Sequence, residues 1–330
     1  MKLVFFAFKH RYRYKDLNNF LHTRVYGKYF LLNLGGPFRH LVAKILLKIN
    51  LGFAISCDAR PLIKHKNSGI NFFIRGTNLN IPNDFRHLEN NFVSIKNPFK
   101  EEKNIFQIYP ININYSKITN QPKIIFIGGA NIDINEQQKI VWEKCKKEVF
   151  NDFTILDKKI FWEKYLGNNS MEDIFVYYKQ FKLLLRLEIV KYLKKKFNEQ
   201  FILIGDDWKK YSINSLTSNF NPNYITRLYK GNICIDFGSS EGSSTLYPRS
   251  NSIIEAGGLI LQSKQIDSQD IWGNLEKKIT FKNYNDLEIK MDKLLNNEHL
   301  SKDILSNISK HFENSKSLIE KNFDEIFENI

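Results

Sequence analysis

Between residues 230 and 262 the chain reads KGNICIDFGSSEGSSTLYPRSNSIIEAGGLILQ, and the residues after Pro248 have the types and spacing to hold an anion. Proline suits the first turn of a helix, where its missing N–H would have had no partner. Arg249 then falls in that turn, beside free backbone N–H groups, and both would attract a phosphate or diphosphate. Asn251 and Glu255 are four apart and share a helix face; Ser252 and Glu255 are three apart. A carboxylate at Glu255 could accept hydrogen bonds from two ribose hydroxyls. Its place in the last turn is mildly disfavoured by the helix dipole. An exposed helix glutamate balanced by a nearby lysine accounts for the same residue.

These residues need a scaffold. The apolar run 233–237 leads into a glycine- and serine-rich loop, 238–245. A helix opened by Pro248 and closed by Gly257 and Gly258 follows, then a second apolar run, 259–261. Strand, small-residue loop, helix, strand is how a parallel α/β domain builds a crevice outside the carboxyl ends of its strands. Two other turns are of this kind. KIIFI (123–127) ends in Gly128 and Gly129 before a helix over 135–149, and FILI (201–204) ends in Gly205 and Asp206. Neither carries G-x-G-x-x-G or G-x-x-x-x-G-K-[ST], so each alone is a weak phosphate signal. The runs KIIFI, FTIL (153–156), FILI, ICIDF and LILQ alternate with helix-like connections. They predict a parallel doubly wound sheet in which the central stretch is the fourth of about five strand units. A long helix over 174–197 ends in Lys194, Lys195 and Lys196, cations that favour the dipole at that end. Further on come a strand near 278–281, a helix over 285–295 and an amphipathic helical tail over 301–330.

The first half reads as irregular α/β. Strands are expected at 2–8, 29–34, 53–57 and 70–75, with a helix over 38–48. Residues 78–120 are rich in Asn, Pro and Lys with little periodicity, and 108–121 reads as a connector. Asp58, Arg60, Lys64, His65 and Lys66 follow the third strand. His65 could act as a general base, with Asp58 as the second catalytic candidate. A surface loop with an exposed histidine is the simpler account. The expected organisation is two Rossmann-like domains, the first short and irregular: 1–118, then 119–312, then a helix over 313–330 docking on the body.

The chain has 330 residues and a formal net charge of +14. Solvated lysines of a Lys-, Asn-, Ile- and Phe-rich chain account for that charge. So would nucleic acid, an anionic membrane face or a phosphorylated substrate. The basic run RYRY (11–14) could stack on nucleic acid, but a solvated loop explains it as well, and no RNP-type or helix-turn-helix signature accompanies it. Three cysteines lie far apart without C-x-x-C, and seven histidines show no H-x-x-x-H. That pattern argues for a reducing compartment and against a metal site. The run 41–55 is interrupted by Lys44 and Lys48, short of the ~20 apolar residues of a membrane span. A cytoplasmic protein is expected, with a charge compatible with peripheral contact at an anionic inner membrane face.

From about residue 121 to 297 the chain resembles the nucleotide-sugar domain of GT-B glycosyltransferases (glycosyl transferases family 1), closest to the branch named after a spore-coat maturation protein. The resemblance is carried by FIGGAN (126–131), LIGDDW (203–208), PRSNSIIEAGGLILQ (248–262) and ITFKNYNDLEIKMDKLLNN (279–297), in that order and spacing. It implies a GT-B fold and transfer of a sugar from a nucleotide diphosphate to a cell-surface polysaccharide, lipid-linked or protein acceptor. It implies Glu255 on the nucleotide ribose, Arg249 near the diphosphate, Gly128, Gly129, Gly205 and Asp206 lining the donor cleft with Tyr247 and Asn251, and no cofactor or metal. Arginine, lysine and helix N-termini would stabilise the leaving diphosphate instead. Many retaining relatives carry a second Glu eight positions before the ribose Glu. Here that position is Tyr247, and the nearest acid, Glu241, is fourteen before; retention or inversion stays open. Asp58 and His65 stand on their chemistry alone. The alternatives are a non-catalytic GT-B-like binding protein and, less favoured, a basic nucleic-acid-binding α/β protein.

Overall fold

The computed structural model describes residues 2–6, 24–26, 29–33, 38–49, 51–57, 70–73, 91–93, 96, 98–99, 107, 109–111, 113–114, 118–217, 221–240 and 242–328. Among them, two sheets carry the α/β architecture. The first is built from β1 (Lys2–Phe6), β2 (Arg24–Tyr26), β3 (Tyr29–Asn33), β4 (Phe53–Cys57), β5 (Ile70–Phe73) and β6 (Asn91–Val93), in the order β2-β3-β1-β4-β5-β6. Its pairs are parallel except β2 with β3. The second is wholly parallel and contains β7 (Ile124–Ile127), β8 (Phe201–Ile204), β9 (Ile233–Asp236), β10 (Leu259–Ser263) and β11 (Thr280–Phe281), in the order β11-β10-β9-β7-β8.

With β2 set aside, the two sheets share one strand order. The first strand lies between the second and the third, and the chain then works outward. Strand order reverses between first and third strands, and that switch point, at the carboxyl ends, is where doubly wound sheets bind ligands. In the second sheet it lies between β7 and β9.

Helices cover the second sheet, so its strands are buried and read as continuous apolar runs: Ile124, Ile125, Ile233, Ile235, Leu259, Ile260 and Leu261 have no exposed surface. In the first sheet α1 (Arg39–Lys48) follows β3. The second is surrounded by α2 (Glu136–Asn151), α3 (Lys159–Leu166), α4 (Met171–Phe197), α5 (Pro222–Tyr229), α6 (Pro248–Glu255), α7 (Ser268–Trp272), α8 (Glu276–Ile279), α9 (Tyr284–Asn296) and α10 (Glu298–His311), while α11 (Ser315–Glu328) packs on β2 of the first sheet. Local chemistry sets the starts. Asn135 and Gln138 form a reciprocal capping box on α2, and Ser170 caps α4 by accepting the Asp173 N–H. No helix of the described residues is long and apolar enough to cross a membrane.

The parallel α/β expectation holds, with corrections. FTIL is not a strand: Phe153–Asp157 is a 3-10 turn. The Asp152 carboxylate accepts both the N–H (3.1 Å) and the hydroxyl (2.6 Å) of Thr154, and the Phe153 N–H donates to the Lys282 carbonyl. A turn therefore buries Phe153 and Leu156 without a ladder. The fifth strand is β11, and β9 is the third strand of its sheet rather than the fourth. The tail is two helices, α10 and α11; Asn322 on α11 donates to the Gln107 carbonyl at 2.9 Å. The three-residue strands β2 and β6 were too short to carry a periodicity.

Candidate functional site

Two backbone turns meet next to the switch point, at the carboxyl ends of β7 and β8. The Gly128 N–H donates to the Ile204 carbonyl at 2.8 Å, and the Ala130 N–H to the Asp206 carbonyl at 3.1 Å. Gly205 has φ +148°, and a Cβ there would collide with the Gly128 carbonyl, so this approach requires glycine. Trp208 closes the junction, its indole N–H donating to the Gly128 carbonyl at 2.7 Å. Gly128, Gly129, Gly205 and Asp206 are thus brought together, as the sequence suggested; the Asp206 residue is exposed.

Two guanidinium groups converge beside these turns. Arg249, in the first turn of α6, lies 5.4 Å from the Phe126 ring and 5.5 Å from the Tyr247 ring. A Cβ on Gly128 would come within 2.9 Å of the Phe126 ring, so the glycine leaves room for the ring beside the guanidinium. Arg186, buried on α4, lies 5.9 Å from the same Phe126 ring and donates to the Gly129 carbonyl at 3.4 Å. Burial, and then the positive charge of Arg249, lowers the Arg186 pKa to about 10. No hydrogen-bond partner reaches the buried Arg186 Nε among the described residues.

The carboxylate facing this pair is Asp236, the last residue of β9 and fully buried. It lies 3.7 Å from the Arg249 Nη1 and accepts hydrogen bonds from the Tyr247 hydroxyl and, at 2.7 Å, from the Gln262 amide. Trp272 donates to the Gln262 amide oxygen at 3.1 Å and so orients it. Tyr247, at the position where an acid was sought, thus delivers its hydroxyl to an acid eleven residues earlier.

A second charged layer lies one helical turn away. Lys182 on α4 is 3.8 Å from Asp157 and donates to the Gln265 amide oxygen at 3.3 Å. Asp157 also accepts from the Tyr178 hydroxyl at 2.8 Å and the Ser243 hydroxyl at 2.7 Å. The serine-rich loop, read from sequence as a ligand crevice, uses its hydroxyls to fasten itself. Ser243 holds Asp157, and Thr245 donates its N–H and hydroxyl to Asp267 at 2.8 and 2.7 Å. The Ser244 hydroxyl accepts the Lys96 N–H at 2.6 Å, while the Ser243 N–H donates to the Lys96 carbonyl at 2.8 Å. Phe99 then sets its ring edge-on to Tyr178, at 5.2 Å. Residues 96 and 99, just after the first sheet, are therefore part of the wall of this cluster.

Burial raises the hydroxyl pKa of both Tyr178 and Tyr247 well above the ordinary value. The folded chain therefore keeps protons that the unfolded chain loses above about pH 10. This stabilisation is complete below that pH and is lost as pH rises beyond it, by about 1.4 kcal/mol per pH unit for each tyrosine. The lowered pKa of buried Lys182 has the opposite sign, adding stability as pH climbs towards about 10.4 and nothing beyond. Urea midpoints should hold up to pH 10 and then fall steeply, less so in Tyr178→Phe. A flat midpoint through pH 11 would contradict this assignment.

Glu255 sits at the other end of α6. Its carboxylate accepts the Ile111 N–H at 2.8 Å, and its carbonyl accepts the Asn114 N–H and side-chain amide, each at 3.0 Å. Six residues separate it from Arg249, about 9 Å along a helix axis. The structure brings Tyr247 and Arg249 to Gly128 and Gly129, and sets Glu255 on the connector; Asn251 is buried within α6. Asp58, His65, Glu241 and the RYRY run lie outside the described residues. Among the described residues no group of three or more His, Cys, Asp or Glu could hold a metal ion.

Arg186, Lys182, Asp157, Asp236 and Gln262 escaped the sequence reading. A signal existed for the first two: they are cations four apart in the largely apolar run FKLLLRLEIV, which also holds Glu188, and the spacing places both on one buried helix face. The chain matches no protein-family model and no curated protein.

Proposed function

We propose that this chain is a metal-independent glycosyltransferase of the GT-B type that binds a nucleoside diphosphate sugar at the carboxyl ends of β7 and β9. The observation that carries the proposal is the pair Arg186 and Arg249, held against one Phe126 ring beside the Gly128–Gly129 turn. Two like charges with one facing carboxylate favour a polyanion between or above them, and a diphosphate can accept hydrogen bonds from both forks. When the sugar–phosphate bond breaks, negative charge grows on the departing diphosphate. Guanidinium groups already fixed by packing stabilise that charge without reorganisation. The shared strand order of the two sheets supports the two-domain reading, with the first sheet on the acceptor side. The acceptor is then a cell-surface polysaccharide, a lipid-linked glycan or a protein, glycosylated in the cytoplasm. In this reading Glu255 fixes the connector to α6, and Asp236 holds Arg249 in place.

Melting in the presence of UDP, GDP, dTDP and CMP tests the donor site. A matching nucleotide at one hundred times its Kd should stabilise the chain by about 2.7 kcal/mol. A melting point unmoved by all four removes the basis of the proposal. Release of free nucleotide in the presence of an acceptor glycan then separates an enzyme from a binding protein.

A further inference from the structure

We propose that α1 is the surface by which this chain docks on a bilayer of anionic lipid. Phe38, Leu41, Val42, Ile45 and Ile49 recur every three or four residues through α1 and its flanks. On a helix that spacing makes one stripe, roughly 100° wide. A globular protein ordinarily turns such a stripe inward. Here all five residues are between 39% and 71% exposed, and Leu51 extends the patch at 52%. The helix packs on β4, so the stripe is a face that this contact does not use. Its exposed area is on the order of a few hundred Å², the size at which an apolar patch marks an interaction surface.

Charge says what covers it. The helix, RHLVAKILLK, has no acidic residue, and exposed Lys44 and Lys48 lie one turn apart along one border of the stripe. The whole chain carries +14. A second copy laid on this face would bring lysines against lysines. An anionic bilayer satisfies both features at once. The apolar side chains enter the acyl boundary, and the lysine stems lie along it with their ammonium groups among the headgroup phosphates. Ten residues of helix are about 15 Å, so α1 lies in the interface and does not span it. The docking surface belongs to the first sheet and stands independently of the donor site in the second.

Co-sedimentation of the full chain with vesicles decides the matter. It should bind phosphatidylglycerol-rich vesicles, bind pure phosphatidylcholine far less, and release on added salt. Leu41→Asp with Ile45→Asp should abolish binding and leave the melting point unchanged, since both positions are exposed. Lys44→Gln with Lys48→Gln should weaken phosphatidylglycerol binding about thirtyfold. Val42→Cys carrying an environment-sensitive fluorophore should shift to the blue on anionic vesicles, which keeps the test open even if the aspartate variant does not fold. The proposal is overturned if the wild-type chain ignores anionic vesicles or if the fluorophore stays in water. It is equally overturned if the chain forms a lipid-free dimer that Leu41→Asp with Ile45→Asp dissociates, because the face is then a contact between copies.

Discussion

Arg249→Ala should cost about 3 kcal/mol of nucleoside diphosphate binding, on the order of a hundredfold in Kd, while changing stability little. The size follows from the setting of the side chain. Phe126 and Tyr247 flank the guanidinium, and Asp236 lies 3.7 Å from its Nη1. It is still 22% exposed, so it is both held and reachable. A group already fixed in its bound geometry loses little freedom when the anion arrives. Stability should hold because Asp236 keeps the Tyr247 hydroxyl and the Gln262 amide as donors, and because the substitution removes the repulsion that adds to burial in lowering the Arg186 pKa. Arg249→Lys keeps a charge but loses the planar fork and the stacking, and should fall between alanine and wild type. Titration calorimetry with the nucleotide found by melting measures all three. An alanine variant that binds as tightly as wild type sinks the donor-site assignment.

Asp236→Ala should lower stability by about 3–5 kcal/mol, because it leaves buried polar partners without their acceptor. The Tyr247 hydroxyl, the Gln262 amide and the Arg249 guanidinium all face this carboxylate, which has no exposed surface. Asp236→Asn retains an acceptor oxygen but no charge, and should cost less. Nucleotide affinity should also fall in Asp236→Ala, since Arg249 loses its anchor. The pair Asp236→Ala with Arg249→Ala should then be less destabilising than the sum of the single changes. Urea denaturation of the four proteins gives the coupling. Additivity would mean that the 3.7 Å ion pair has no energetic content.

Much of the scaffold was legible from local pattern. Strands β7, β8, β9 and β10 are buried on both faces, so each is written as an unbroken apolar run ending in glycine or a polar residue. Helices α2 and α4 announce themselves by caps and by apolar spacing. FTIL misled because apolar content is the same for a buried strand and a buried turn; the capping carboxylate of Asp152 decides between them. Glu255 shows the same division between local pattern and fold. Its spacing from Asn251 is a property of the helix, but which end of the helix faces the crevice depends on the direction of the strands around it.

Residue types and spacing alone therefore determined a parallel α/β chain with glycine turns after β7 and β8 and an arginine opening α6. They also determined the stripe on α1, because a helix converts a three- and four-residue spacing directly into a face. Only the tertiary structure decided which charges meet. Arg186 and Arg249 are 63 positions apart, and Lys182 and Gln265 are 83 apart. No local pattern links such pairs, since their approach comes from the crossing of α4 over a sheet whose strand order reverses between β7 and β9. Tertiary packing also turned the serine-rich loop from an open cradle into a fastened wall. Each buried hydroxyl there must find a partner, and Asp157, Asp267 and the backbone of Lys96 are the ones that the fold supplies.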